Sequence, residues 1–365
     1  MKRRVINPIR SRPRLAAALA TIALFAASGL GGQALAEDLS YCRQAQALEG
    51  QGRRDEQVAF LSMCLATGDL TPQNLAIAFY HRGNAQTGLG RQRFAIQDYD
   101  RAILIDANFT DAYFNRGVAY RNLFLYDRAI EDYDRAIRLA PGRAQSYSSR
   151  GNAHADMGRF ELAIQDFDAA LALDPKSLGA LNNRGNALRD HGRYDLAIRD
   201  YDRAIMLDPN YGLAYENRGL AYYESGQMDR AVAEFRAVVA LQPENAYPAL
   251  LLHMAMARVG GAADAELAAN AGRLDLRKWP GAIVRFALGK SDEGEVLEAA
   301  QDARSTTRRE QECEAYYYLG MARLARADPS GAAAMFRSAI DTGVRHFIEF
   351  HQAEFELVRL NARGK

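Results

Sequence analysis

Chemistry-bearing residues are sparse in this chain of 365 residues: one tryptophan, three cysteines and six histidines. The histidines, His81, His154, His191, His253, His346 and His351, form no HExxH and no Cys/His cluster at metal-ligand spacing, which removes the common zinc sites. His346 and His351 are five apart and share no helix face well. There is no phosphate-binding GxxxxGK[ST] and no GxSxG. The chain is therefore read as non-enzymatic, with no catalytic residue, no metal ligand and no cofactor. Past residue 37 no segment is long and apolar enough to span a membrane. No acid precedes Glu37, whereas Lys2, Arg3, Arg4, Arg10, Arg12 and Arg14 do. Setting those six aside turns the whole-chain charge of +1 into a mildly acidic body, which argues against nucleic acid as the partner. With 48% hydrophobic residues and ten prolines the chain is neither disordered nor collagen-like.

The first 36 residues read as a cleaved secretory signal. The six basic residues lead into an apolar stretch from Leu15 to Leu30, and Ala34-Leu35-Ala36 offers the small residues of a cleavage site. The alternative is an anchor that stays attached, although the stretch falls short of a full bilayer span. A lipoprotein would need a cysteine directly after the small residues; Glu37 stands there and Cys42 comes too late. The expectation is an exported protein in the periplasm, soluble once the signal is removed.

A period of 34 residues dominates the middle of the chain. It links Gly83, Gly117, Gly151, Gly185 and Gly219, and equally Ala95, Ala129, Ala163, Ala197 and Ala231. Tyr99, Tyr133, Phe167, Tyr201 and Phe235 keep the phase, and Pro141, Pro175, Pro209 and Pro243 close their units, with Ala107 closing the first. In the unit 110–143 one helix runs through Tyr113, Gly117 and Tyr120 and a second through Ala129, Tyr133 and Ala136, turning near Phe124. Gly117 and Ala129 let the two backbones approach, Tyr133 fills the space beside them, and Pro141 stops the second helix. Gly90, Gly158, Gly192 and Gly226 occupy the equivalent turn. Each hairpin exposes an apolar face, so stacking makes the array stable and the fold is all-α.

Tyr113, Gly117, Tyr120, Ala129, Tyr133, Ala136 and Pro141 resemble the tetratricopeptide repeat, strongly over five regular units in 76–245. The resemblance implies a right-handed superhelical α-solenoid of helix hairpins whose concave wall is lined by the first helices. One departure is systematic: Arg82, Arg116, Arg150, Arg184 and Arg218 stand where the family commonly has leucine. Asp98, Asp132, Asp166, Asp200 and Glu234 recur in phase, so each guanidinium is expected to meet a carboxylate rather than line an anion groove. By the same resemblance, ligand contacts fall two residues before and one after each repeat glycine. Those rows hold His81, Asn115, Ser149, Asn183 and Asn217, and Asn84, Val118, Asn152, Asn186 and Leu220, with Tyr80, Arg121, Arg189 and Tyr223 flanking the groove. A ladder of amides, each both donor and acceptor, suits the backbone of an extended peptide. It resembles the asparagine ladder of the glycosyltransferase repeats; the alternative is that asparagine is merely a tolerated solvated residue.

On either side the pattern is weaker. Residues 37–75 read as a divergent hairpin turning near Gly50 and Gly52, which brings Cys42 and Cys64 level for a disulfide and leaves Cys313 as a buried free thiol. Residues 246–312 read as two divergent hairpins, 313–346 as a further repeat around Gly320 and Phe336, and 347–365 as a C-terminal capping helix and tail. The stretch 316–360, together with 279–289, resembles the NlpI-like envelope lipoproteins, adaptors for peptidoglycan hydrolases and a tail-specific protease, although the lipid-attachment cysteine is missing. The function read is a non-catalytic exported scaffold that binds protein or an extended peptide, with those enzymes as candidate partners and a homo-oligomer compatible with the sequence. The alternative is an accessory protein, or an enzyme of unrecognised chemistry, in cell-wall or exopolysaccharide metabolism.

Overall fold

A computed structural model describes residues 32–68, 70–301, 305–345 and 347–363. Among the described residues there are nineteen helices and no strand. Residues 1–31 of the segment expected to be a leader, and His346, lie outside them, and the expected junction after Ala36 falls inside the first helix. Two compact units meet at Pro175 and Lys176, and each is described by itself.

The first unit holds α1 (Gly32–Ala47), α2 (Arg54–Ala66), α3 (Pro72–Gly88), α4 (Gln92–Ile105), α5 (Thr110–Asn122), α6 (Tyr126–Leu139), α7 (Ala144–Asp156) and α8 (Phe160–Leu173). They pack as consecutive antiparallel hairpins, each helix against the next. Local chemistry sets the boundaries. Thr71 accepts a hydrogen bond from the Asn74 amide while Pro72 occupies the first turn, which starts α3. Pro141 lies just past the end of α6. A Cβ on Gly117 would stand 2.8 Å from the Tyr133 ring, so only glycine admits that ring between α5 and α6. Tyr133, Phe114, Ala129, Ala136 and Ala153 form one core cluster. In the turns Gly90 and Gly158 take a left-handed backbone, and so does Phe124, at φ 61°. Cys42 and Cys64 are joined by a disulfide between α1 and α2.

The arginine positions become ion-pair staples. Arg116 makes paired bonds to Asp132 at 2.7 and 2.8 Å and reaches back to Asp100 of the preceding hairpin at 2.6 Å. Arg150 bonds Asp166 and Asp134 in the same way, and Arg82 bonds Asp98 and the Ser62 hydroxyl. A leucine would bury only its own surface here. The guanidinium ties three helices and satisfies carboxylates such as Asp132, which is 4% exposed. Burial pushes the Asp132 carboxyl up against the pull of Arg116.

The second unit holds α9 (Leu178–Asp190), α10 (Tyr194–Leu207), α11 (Gly212–Glu224), α12 (Met228–Leu241), α13 (Ala246–Arg258), α14 (Ala263–Ala271), α15 (Gly281–Ala287), α16 (Glu293–Ala299), α17 (Ser305–Ala325), α18 (Pro329–Asp341) and α19 (Ile348–Arg363). Arg184 pairs with Asp200, and Arg218 bridges Glu234 and Asp202. After α12 the hairpins shorten: α14, α15 and α16 have nine, seven and seven residues. One core cluster runs from Leu220 through Phe286 and Phe336 to Ala353, with Cys313 buried in it. Trp279 packs at its edge and donates to Glu314. Among the described residues no helix is long and apolar enough to cross a membrane.

Candidate functional site

In the first unit the candidate residues sit on first helices: Tyr80 and Asn84 on α3, Asn115 and Arg121 on α5, Asn152 on α7. The Asn115 amide nitrogen donates to Asn84 Oδ1 at 2.7 Å and to the Tyr80 hydroxyl at 3.1 Å. Tyr99, from α4, donates to the same Asn84 oxygen at 2.8 Å and lies 3.1 Å from the Thr87 hydroxyl. The amides of successive hairpins are thus joined to each other, and Asn84 also satisfies the tyrosine that wedges beside Gly83. Each is half-buried; Asn84 Nδ2 also engages the Tyr80 hydroxyl, which takes one of its two hydrogens, and among the described residues no hydrogen bond engages Asn115 Oδ1. One donor and one acceptor therefore remain for a peptide unit.

The surroundings keep this cluster uncharged. Burial raises the Tyr80 hydroxyl and lowers His81, so at neutral pH both are neutral. The rings of Phe109 and His81 lie 4.9 and 5.4 Å from that of Tyr80. His81 also lines a pocket of about 80 Å³ formed by α1, α2 and α3, whose wall includes Ala45, Leu61, Cys64, Ile77 and Ala78. On the other side Arg121 is paired with Asp156 at 2.7 Å. Burial opposes the Arg121 charge, but Asp156 outweighs it and holds the guanidinium protonated. Asn152 is half-buried on α7. Among the described residues no group of three or more His, Cys, Asp and Glu is placed to hold a metal ion.

The second unit treats its candidates differently. Tyr201 donates to Asn186 Oδ1 at 2.8 Å, repeating the Tyr99–Asn84 bond, and Asn183 is half-buried beside it. Asn217, Arg189 and Tyr223, in contrast, are only 1%, 4% and 3% exposed and do not flank an open groove. Asn217 donates to Asn182 at 2.7 Å, Arg189 lies against Asp190 and Glu224, and the Tyr223 hydroxyl meets Glu356 of α19. Tyr223 is enclosed because α19 folds back over the ends of α11 and α13, which the repeat phase could not reveal. Asn182 escaped the sequence reading because it stands one residue off the expected row.

Family profiles of the tetratricopeptide repeat match residues 110–143, 144–177 and 212–245, and a related repeat profile matches 185–226. These stretches are tetratricopeptide repeats. No curated protein matches the sequence as a relative. Among solved structures, a tetratricopeptide repeat protein from Parabacteroides merdae ATCC 43184 is 20% identical over 71% of this chain and 99% of its own, with a TM-score of 0.55. MamA is 27% identical over 44% of this chain and 94% of its own, at a TM-score of 0.41. YrrB, described as a repeat protein with an unusual peptide-binding site, is 21% identical over 47% and 88%, also at 0.41. The first likeness concerns the fold, an all-helical stack of hairpins. In the first unit the amide cluster of α3 and α5 is half-buried on the first-helix side.

Proposed function

We propose that the protein is a non-catalytic exported scaffold that holds an extended peptide segment of a protein partner on the first helices of its first unit. The observation that carries this is the amide pair Asn84–Asn115, locked by Tyr80 and Tyr99 and still offering one donor and one acceptor. The neighbouring pocket supports an apolar side chain as the anchor of that peptide, since Ala45, Leu61, Leu70, Ile77 and Ala78 give it a mostly apolar surface inside a rim that includes Arg43 and Glu49. An uncharged amide row suits backbone rather than charge recognition. Export rests on the basic-then-apolar leader ending at Ala36, and the Cys42–Cys64 bridge suits an oxidising compartment. The resemblance of 279–289 and 316–360 to the NlpI-like lipoproteins makes peptidoglycan hydrolases and a tail-specific protease the partners to try first.

Selection of a displayed random-peptide library on the full chain tests the reading. Enriched peptides should share one bulky apolar residue and no charge pattern, and the triple change Asn84→Ala, Asn115→Ala, Asn152→Ala should weaken them by about 2 kcal/mol, at about 1 kcal/mol per lost neutral bond. Failure to enrich any peptide, or equal affinity in the folded triple variant, refutes the site.

A further inference from the structure

The last helix is more than a lid on an apolar end. One face of α19, Phe350 and Ala353 with Leu357 and Leu360, packs into the core beside α17 and α18, as a capping helix should. A second stripe, Glu349, Gln352 and Glu356, is polar and just as buried, at 5%, 2% and 0% exposure. Spaced i, i+3, i+7, these three share one side of the helix. Two of them meet the C-terminal ends of repeat first helices: Arg258 of α13 donates to Glu356 at 2.6 Å, Tyr223 of α11 donates to the same oxygen at 3.2 Å, and Gln352 donates to Glu224 of α11. Arg258 also stacks on the Tyr223 ring, 4.5 Å from its centroid, and Arg189 of α9 stands 3.6 Å from Glu224.

Capping requires only the apolar face. An amide set against a glutamate and a carboxylate set against arginine and tyrosine are instead the pattern of a helix read by a receptor surface. The fit is also incomplete: Arg189 Nη1, Arg258 Nη1 and Gln352 Oε1 are buried with no hydrogen-bond partner among the described residues. A ligand helix that satisfied the two guanidinium nitrogens would dock better than α19 does.

We infer that Arg189, Tyr223, Glu224 and Arg258 form a second docking face, selective for an amphipathic helix whose polar stripe carries an amide and an acidic side chain at i and i+4, and that α19 is its occupant in cis. This rests on the scaffold reading but uses a different surface from the amide pair. A partner helix of that chemistry gains the face by displacing α19, so docking there is gated by α19.

The probe is a labelled synthetic peptide of residues 347–363, added to the full chain. Glu356→Arg sets like charges against Arg258 and should release α19, so the peptide binds that variant at least about tenfold tighter than the native chain. Adding Arg258→Glu to the variant should abolish binding of the unmodified peptide. Equal binding to the native and Glu356→Arg chains, or none to a folded Glu356→Arg chain, overturns the inference. Hydrogen exchange of the native chain decides independently of any variant: α19 should open well before α17, and exchange of both helices at one common rate makes α19 plain core and overturns it. Asn115→Ala does not touch this readout, so failure of the amide site and failure of the α19 face are separable.

Discussion

Truncating Arg116 to alanine should be among the most damaging single changes in the repeats, although the side chain is polar and lies outside the apolar core. Its guanidinium holds Asp132, 4% exposed, by two bonds, and Asp100 by a third. Alanine leaves the Asp132 charge buried and alone, which costs about 3 kcal/mol by the usual penalty for breaking a buried pair. Replacing both partners, Arg116→Leu with Asp132→Leu, removes the charge together with its counter-ion and should cost under about 1 kcal/mol. The pH dependence has a definite sign. Burial already raises the Asp132 carboxyl above its ordinary value, and without Arg116 it rises further. The penalty therefore belongs to the ionised state: it is present above the folded-state pKa and relieved as pH falls through it. Urea midpoints of the native, single and double variants at about pH 7 and about pH 4.5 measure this, with hydrogen exchange on α5 and α6 to localise the loss, because repeat arrays can unfold in parts. A single variant as stable as the double, or one whose deficit is the same at both pH values, refutes the staple account.

Phe124 takes the left-handed turn at φ 61° that Gly90 and Gly158 take in neighbouring repeats; Phe124→Gly should raise stability by about 1 kcal/mol, read as a higher melting temperature. Reducing the Cys42–Cys64 bridge, or changing both residues to serine, should loosen the α1–α2 hairpin by about 3 kcal/mol on loop-closure grounds, visible as faster exchange confined to those helices. The Glu224 carboxyl is pushed up by burial to about 7 against the pull of Arg189, while Asp190 raises it and Gln352 of α19 lowers it. A folded-state value above the ordinary glutamate value gives a stabilising contribution that is full at low pH and lost as pH rises through about 7. His351, also facing this cluster, is held up by Glu354 and Asp190 even though burial opposes it, and acts in the same direction. Protection of α19 should therefore fall between about pH 4.5 and about pH 7, and Glu224→Gln should flatten that slope.

What the sequence made legible is what recurs. The 34-residue step of Gly117, Ala129 and Tyr133 implies hairpins because a glycine, an alanine and an aromatic at those spacings have one sensible packing, and a Cβ on Gly117 would indeed strike the Tyr133 ring. The in-phase Asp132 told against an anion groove, because a carboxylate sixteen residues beyond each arginine is a partner in waiting. The site was less legible, since asparagine at a first-helix position has two uses that look alike in one dimension. Asn84 and Asn186 serve the hydroxyls of Tyr99 and Tyr201, and Asn217 serves Asn182. The burial of Tyr223 depends on α19, whose Glu356 lies 133 residues from it in the chain and shares none of the repeat phase. A contact made once, between a repeat and a non-repeating helix, leaves no periodic trace.

Site-specific photocrosslinking tests the central claim most directly. A benzophenone side chain is placed in the full chain at Gln46, on the pocket wall, or at Leu104, 76% exposed on the second helix α4. With a library-selected peptide, the account predicts a covalent adduct from position 46 that Asn115→Ala diminishes, and none from position 104. An adduct from position 104 without one from position 46 would contradict it.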